Sequence, residues 1–256
     1  MTQWGFYFNQ QRCLGCATCT VACKEWNEGR RRDAKLNALT DGQLKNLETP
    51  KDWKAGTNDK AVDYEYLRKF DMKENWRRVT FCEFGKRAPN VEVIPLSMSC
   101  NHCSDPACMK VCPMKAIHKG PHGEVLVDQQ KCIGCKMCAN ACPYDVPVFN
   151  TEGRTSYFGD KQPLVVRPAK PHTERTPGKA EHCTLCVHRT ERGLLPACVE
   201  ACGIHAMTLV DYDNPTPETA KLIEAARPMN EAAGTHPKIR YIARHMDAAK
   251  MAVKLG

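Results

Sequence analysis

The sequence predicts an α+β fold of two pseudo-symmetric modules, with inserted loops and a helical tail at the C-terminus. Three observations predict it: cysteines gather in four sets, the sets repeat in alternating types, and strand-like stretches precede some of them. The chain has 256 residues, enough for one large domain or two small ones. The four sets lie at residues 13–23, 100–112, 132–142 and 183–202.

The third set carries the clearest chemical signal. Its cysteines are Cys132, Cys135, Cys138 and Cys142, spaced C-x2-C-x2-C-x3-C and followed by Pro143. This is the bacterial ferredoxin run, in which three thiolates hold one iron–sulfur cluster and the fourth ligates a second cluster. Pro143 ends the loop, since it has no backbone N–H to donate. The run therefore predicts iron–sulfur clusters and a ferredoxin-like module.

The sets form an internal repeat. The first set matches all four cysteines of the third at a constant offset of 119 residues, with Lys24 in the place of Pro143. The fourth set echoes the second, because Pro-Ala-Cys recurs at 106–108 and 196–198. A bacterial two-cluster ferredoxin consists of two sets that exchange their fourth cysteines. The alternating order therefore predicts two such modules, each with two clusters.

The predicted organisation follows the sets. The first module would comprise residues 1–26 and 181–210, and the second residues 91–150, with an insertion at 27–90, a Pro-rich basic segment at 151–180 and a tail at 211–256. The segment at 151–180 is either disordered or an arm that returns the chain to its first half. Predicted strands lie at 4–8, 76–81, 91–96 and 123–128, helices at 34–47, 217–226 and 241–253, and a helical turn at 114–118.

Other uses of cysteine fit the sequence less well. The count of 17 is odd and the spacing is close, which argues against a disulfide framework. Structural zinc sites use two separated pairs of ligands, whereas four thiols within eleven residues would crowd one ion. A net charge of +8 ordinarily suggests nucleic acid, but bound thiolates and cluster cores would bring it to about zero. We therefore predict no nucleic-acid partner. Cys82 belongs to no set and is expected to be a buried small hydrophobe.

All four sets resemble those of the four-cluster electron-transfer subunit of the dimethyl sulfoxide reductase family of molybdopterin oxidoreductases. Members serve reductases for dimethyl sulfoxide, arsenate, polysulfide, thiosulfate and tetrathionate, and formate dehydrogenases. The resemblance covers about 1–26 and 91–210. It includes the segments at 101–103 and 105–108 and the eleven-residue gap after Cys186. The tail at 234–242 is similar to the arsenate and polysulfide type. Gly203 stands where many relatives have proline, which concerns loop rigidity and not ligation.

The resemblance implies four 4Fe–4S clusters held by crossed sets. The first cluster would be held by Cys13, Cys16, Cys19 and Cys202, and the second by Cys23, Cys183, Cys186 and Cys198. The third cluster would be held by Cys112, Cys132, Cys135 and Cys138, and the fourth by Cys100, Cys103, Cys108 and Cys142. His102 and His182 lie beside ligands and are expected to tune a potential through their charge.

The expected function is electron relay without catalysis. The sequence has no phosphate-binding loop, dinucleotide fingerprint or catalytic constellation. By resemblance, the first cluster would face a molybdopterin (Mo or W) catalytic subunit, and the fourth a membrane anchor, a cytochrome or another redox partner. A free polyferredoxin electron carrier is the alternative.

The expected location follows from what the sequence lacks. No apolar run approaches 18 residues, so no membrane insertion is expected. The N-terminus shows no signal peptide or twin-arginine sequence. We therefore expect a cytoplasmic protein, or one on the periplasmic side of the membrane if a catalytic partner bearing a twin-arginine signal carries it across.

Overall fold

The computed structural model describes residues 3–27, 75–85, 91–149 and 176–243. The strands are β1 (Trp4–Asn9), β2 (Arg77–Gly85), β3 (Val91–Ser99), β4 (Ile117–Lys119), β5 (Val125–Val127), β6 (Val148–Phe149), β7 (Ala180–Glu181), β8 (Met207–Asp211), β9 (Arg227–Pro228) and β10 (Ile239–Ile242). The α-helices are α1 (Thr18–Asn27), α2 (Ala107–Lys110), α3 (Met137–Ala141), α4 (Val187–Thr190), α5 (Ala197–Glu200) and α6 (Pro217–Ala225). This mixture agrees with the predicted α+β class. None of these helices is long and apolar enough to cross a membrane.

A four-stranded sheet joins the beginning and the end of the chain. Its strand order is β8-β1-β10-β9, with β1 antiparallel to β8 and parallel to β10. Phe6 and Phe8 of β1 enter the main apolar core, while Tyr7 packs on the other face with Val210 and Ala226. Because both faces of β1 are covered, its sequence is a continuous apolar run and does not alternate.

The sequence predicted the strands better than the helices. The strands at 4–8 and 123–128, the strand pair at 76–81 and 91–96, and the helix at 217–226 are confirmed. The helical turn at 114–118 is wrong at its end, where Ile117 is buried and begins β4, which pairs with β5. The helix at 241–253 is wrong for residues 241–243, because 241 and 242 lie in β10 beside β1 and 243 is not helical. Residues 244–253, the helix at 34–47 and most of the segment at 151–180 lie outside the described residues.

The end of the predicted insertion belongs to the core. Trp76, Arg77 and Val79 are buried, and the Trp76 indole donates to a Glu181 carboxylate oxygen at 3.2 Å. β2 pairs with β3 over its whole length, so this hairpin carries residues 77–85 into the same body as the cysteine sets. Cys82 lies in β2, and the prediction made for its side chain falls outside the described residues.

Gly5 is the tightest point of the central sheet. A Cβ added at Gly5 would lie 1.9 Å from the Lys238 carbonyl oxygen and 2.7 Å from the Tyr212 ring. The sheet must therefore shift to accept a side chain, and we expect Gly5→Ala to lower the free energy of unfolding by about 3 kcal/mol. The matched control is Gly203→Ala, since nothing lies within 4 Å of a Cβ there. Chemical denaturation of iron-loaded protein measures both, and equal midpoints would contradict the expectation.

Candidate iron–sulfur centres

The sixteen cysteines of the four sets are all free thiols. Eight are buried and six are partly buried, while Cys16 and Cys135 are exposed. Several lie in the main apolar core together with Phe6, Leu96 and Val127. The cysteine sets are thus part of the interior of the protein, and whatever they bind fills part of that interior.

The loops that present the cysteines repeat one another in backbone conformation. Ala17 and Lys136 hold positive φ angles of 58° and 63°, each one position before the helix that carries the third cysteine of its set. Lys115 and His205 hold positive φ angles of 49° and 48°, each three residues after the last cysteine of its set. Such angles are unfavourable for residues with a Cβ. Their recurrence indicates that the ligand loops require these turns.

Backbone N–H groups approach the cysteine sulfurs at matching positions. The N to Sγ pairs are His102 to Cys100 and Leu185 to Cys183 at 3.4 Å, and Ala116 to Cys112 and Ala206 to Cys202 at 3.3 Å. A further N–H, from Ala180 in β7, lies 3.4 Å from the Cys132 sulfur. Donors of this kind favour the thiolate over the thiol and adjust the reduction potential of a bound cluster.

The first and fourth sets meet and exchange their last cysteines. Burial raises the pKa of Cys13, and the charges of Cys19, Cys16 and Cys202 raise it further. Burial likewise raises the pKa of Cys23 well above its ordinary value. The neighbours that add to this effect are Cys183, Cys186 and Cys198. Cys202 therefore lies with the first set, and Cys23 lies with the fourth.

The second and third sets meet in a similar way. Burial raises the pKa of Cys108 to about 12, with further contributions from Cys142, Cys103 and Cys138. Cys142, the last cysteine of the third set, therefore lies with the second set. Cys112 and Cys132 are partly buried against the same core, and α2 packs against α3 nearby.

These groups fit iron–sulfur clusters. Buried thiolates this close would repel one another strongly unless a cationic core lay between them. Groups of thiolates with N–H donors to several of the sulfurs provide the kind of donor set that a 4Fe–4S cluster requires, and a bound cluster would supply one-electron redox chemistry. No His, Cys, Asp or Glu side chains in the described ranges converge in threes as the ligands of one metal ion would. A four-iron cube spreads its cysteines more widely than a single ion does.

Three electrostatic effects also show that cysteines of one group lie near those of the next. Cys19 adds to the rise in the pKa of Cys198, whose main cause is burial. In the same way, Cys183 adds to the rise in the pKa of Cys100. Cys138 adds to the rise in the pKa of Cys108. Cysteines of the second set therefore lie near Cys183 of the fourth set and near Cys138 of the third.

The charge expected of His102 and His182 is wrong. Burial lowers the pKa of both imidazoles, so the neutral form is favoured for each at pH 7. The His102 Nδ1 accepts the Val125 N–H at 3.0 Å, which leaves the proton on Nε2. Both residues therefore act by packing and hydrogen bonding.

Two polar contacts to the cysteines were not predicted from the sequence. The Asn27 side-chain amide donates to the Cys23 carbonyl oxygen at 2.8 Å and lies 3.6 Å from the Cys23 sulfur and 3.8 Å from the Cys186 sulfur. Its position four residues after Cys23 on α1 is a signal that could have found it. The Thr235 hydroxyl hydrogen-bonds to Cys103 and lies 2.6 Å from the Tyr144 hydroxyl. No local pattern announces that contact, because the tail folds back over the second set.

Comparison with known proteins also indicates an iron–sulfur protein. Residues 91–157 and 167–212 match the model of a 4Fe-4S dicluster domain. The sequence is 32% identical over 238 residues to a component of the anaerobic dimethyl sulfoxide reductase of Escherichia coli, and the match covers 93% of this chain and 87% of that one. The protein belongs to the iron–sulfur subunits of the dimethyl sulfoxide reductase family.

Two other relatives show the breadth of this family. The iron-sulfur subunit of the arsenate respiratory reductase of Shewanella sp. is 30% identical over 264 residues, covering 93% of this chain and 95% of its own. A subunit of the tetrathionate reductase of Salmonella typhimurium is 28% identical over 244 residues, covering 94% and 72%. Membership makes this chain an iron–sulfur electron-transfer protein, and the alternative of a free polyferredoxin carrier is not favoured.

Proposed function

We propose that this chain relays electrons through four 4Fe–4S clusters between a molybdopterin catalytic subunit and a second redox partner. The observation that carries the proposal is the grouping of sixteen free thiols around exchanged last cysteines. The relatives are named as components of reductases, which supports a catalytic partner for this chain. The chain itself is proposed to transform no substrate.

The crossed ligation is part of the proposal, and so are two modules of two clusters each. The neighbours of Cys13 and Cys23 support the first two ligand sets, and the contact of Cys142 with Cys108 supports the fourth. The third set rests on the ferredoxin spacing of Cys132 and its neighbours together with the packing of α2 on α3. The N–H donors described above orient five of these sulfurs and partly neutralise the charge of their thiolates.

The contacts between groups favour the spatial order first, second, fourth and third cluster. Cys16 of the first group and Cys135 of the third are exposed, whereas every cysteine of the second group is buried. The relay would therefore begin and end at the first and third clusters. This differs from the expectation that the fourth cluster meets the outer partner, because Cys100 of the fourth group lies beside Cys183 of the second.

Iron content tests the number of clusters. Sixteen ligands in four complete groups should bind about sixteen iron atoms and as many sulfides per chain. Iron and acid-labile sulfide are to be measured on protein purified anaerobically, together with the number of EPR signals that appear during reductive titration. Fully loaded protein with about eight iron atoms would contradict the four-cluster proposal.

A further inference from the structure

Arg77 is a buried cation on the hairpin strand β2. Arg77 is only 2% exposed, and its guanidinium carbon lies 4.8 Å from the centre of the Phe6 ring. One guanidinium nitrogen, Nη1, donates to the Ser97 Oγ at 3.0 Å, and Nη2 donates to the Ser99 Oγ at 2.8 Å. Ser97 and Ser99 lie two residues apart on β3 and so share one face of the hairpin. The side chain is thereby held in one orientation.

The charges that favour this buried cation are cysteine thiolates. Burial alone would lower the pKa of Arg77, but the charges of Cys198, Cys183, Cys19 and Cys23 raise it instead. Cys19 belongs to the group of the first cluster, and the other three belong to that of the second. An unpaired buried charge is costly, so the guanidinium depends on these nearby anionic groups. It therefore lies close to cysteines of both groups at the start of the proposed relay.

Each of the two serines connects the guanidinium to a cysteine of a different group. The Ser97 Oγ lies 3.5 Å from the Cys19 Sγ, and the Ser99 hydroxyl hydrogen-bonds to the Cys183 thiol. Each serine oxygen already accepts from Arg77, which can only donate, so each hydroxyl proton is free to point at a sulfur. The other acceptor near Ser99 is the Cys100 carbonyl oxygen, 3.5 Å away.

We propose that Arg77, through Ser97 and Ser99, raises the reduction potentials of both the first and the second cluster. A fixed cation in a low-dielectric interior stabilises the extra negative charge of a reduced cluster. Hydrogen bonds to the ligand sulfurs act in the same direction. The proposal rests on the proposed function, since it requires both clusters to be bound by the crossed groups.

Potentiometric titration followed by EPR tests the proposal on the full-length, iron-loaded chain. Arg77→Met should shift both potentials to more negative values. Arg77→Lys should shift them less, because lysine keeps the positive charge but cannot donate to Ser97 and Ser99 as the two guanidinium nitrogens do. Ser97→Ala should shift the first cluster only, and Ser99→Ala the second only. The matched control is Arg78→Met, which removes the same charge one residue later. Arg78 donates to the carbonyl oxygens of Tyr144 and Asp145, so both potentials should stay at their wild-type values.

The outcomes separate this inference from the proposed function. Wild-type protein with only two cluster signals would defeat the four-cluster proposal whatever the variants do. Four clusters in the wild type, with unchanged first and second potentials in Arg77→Met, would overturn the role of Arg77 alone. If Arg77→Met fails to bind its clusters, the serine variants decide, since each removes a single hydroxyl. If Ser97→Ala shifts only the first potential and Ser99→Ala only the second, the proposal is supported. If neither potential shifts, or if each variant shifts the potential of the other cluster, the proposal is overturned.

Discussion

Replacing Cys202 with serine is expected to disrupt the first cluster and to leave the second intact. Cys202 belongs to the fourth set, yet its thiol lies near that of Cys13. The backbone N–H of Ala206 lies 3.3 Å from the Cys202 sulfur. Loss of this ligand should convert or release the cluster. Strand β8 follows shortly after Cys202 and pairs with β1, so the sheet should loosen as well. We expect the free energy of unfolding to fall by about 4 kcal/mol or more, because binding of the metal contributes directly to folding.

The matched substitution is Cys198→Ser, only four residues earlier. Cys198 lies with Cys183 and Cys186, so this variant should lose the second cluster and keep the first. EPR spectra of both variants, titrated against the wild type, measure which signal disappears. If Cys202→Ser removes the signal that Cys198→Ser also removes, the exchange of last cysteines between sets is wrong.

Removing the iron should unfold the cluster-binding body. Cysteines from all four sets are buried in the same core as Phe6 and Val127, so clusters bound to them would form part of that core. Without the clusters, the buried thiols would lose both their ligation and the packing that depends on it. Protein treated anaerobically with an iron chelator should lose its cooperative thermal transition in circular dichroism. Protein carried through the same steps without chelator should keep it.

The contrary outcome is equally specific. Iron-free protein that retains a cooperative transition and the amide-exchange protection of β2 and β3 would show that the apolar core folds by itself. The clusters would then bind to a fold that forms without them.

The cysteine spacing alone predicted most of the candidate site. Ligand loops are local, and their chemistry needs particular residues at particular separations, so both the sets and their repeat were visible in the sequence. The same holds for β1 and for α6, whose Thr216 accepts the Thr219 N–H at 3.3 Å as a helix cap. The strand β10 was missed because its partner β1 lies at the other end of the sequence, and no local pattern records that pairing.

The sequence by itself predicted which cysteines are candidate iron ligands, because ligation depends on residue type and short-range spacing. Only the tertiary structure decided which groups lie side by side, and hence that Cys100 of the fourth group neighbours Cys183 of the second. It also decided that His102 and His182 are neutral and that Arg77 is buried among thiols. These properties depend on burial and on distances between remote segments. Both arise only when the chain closes around its core.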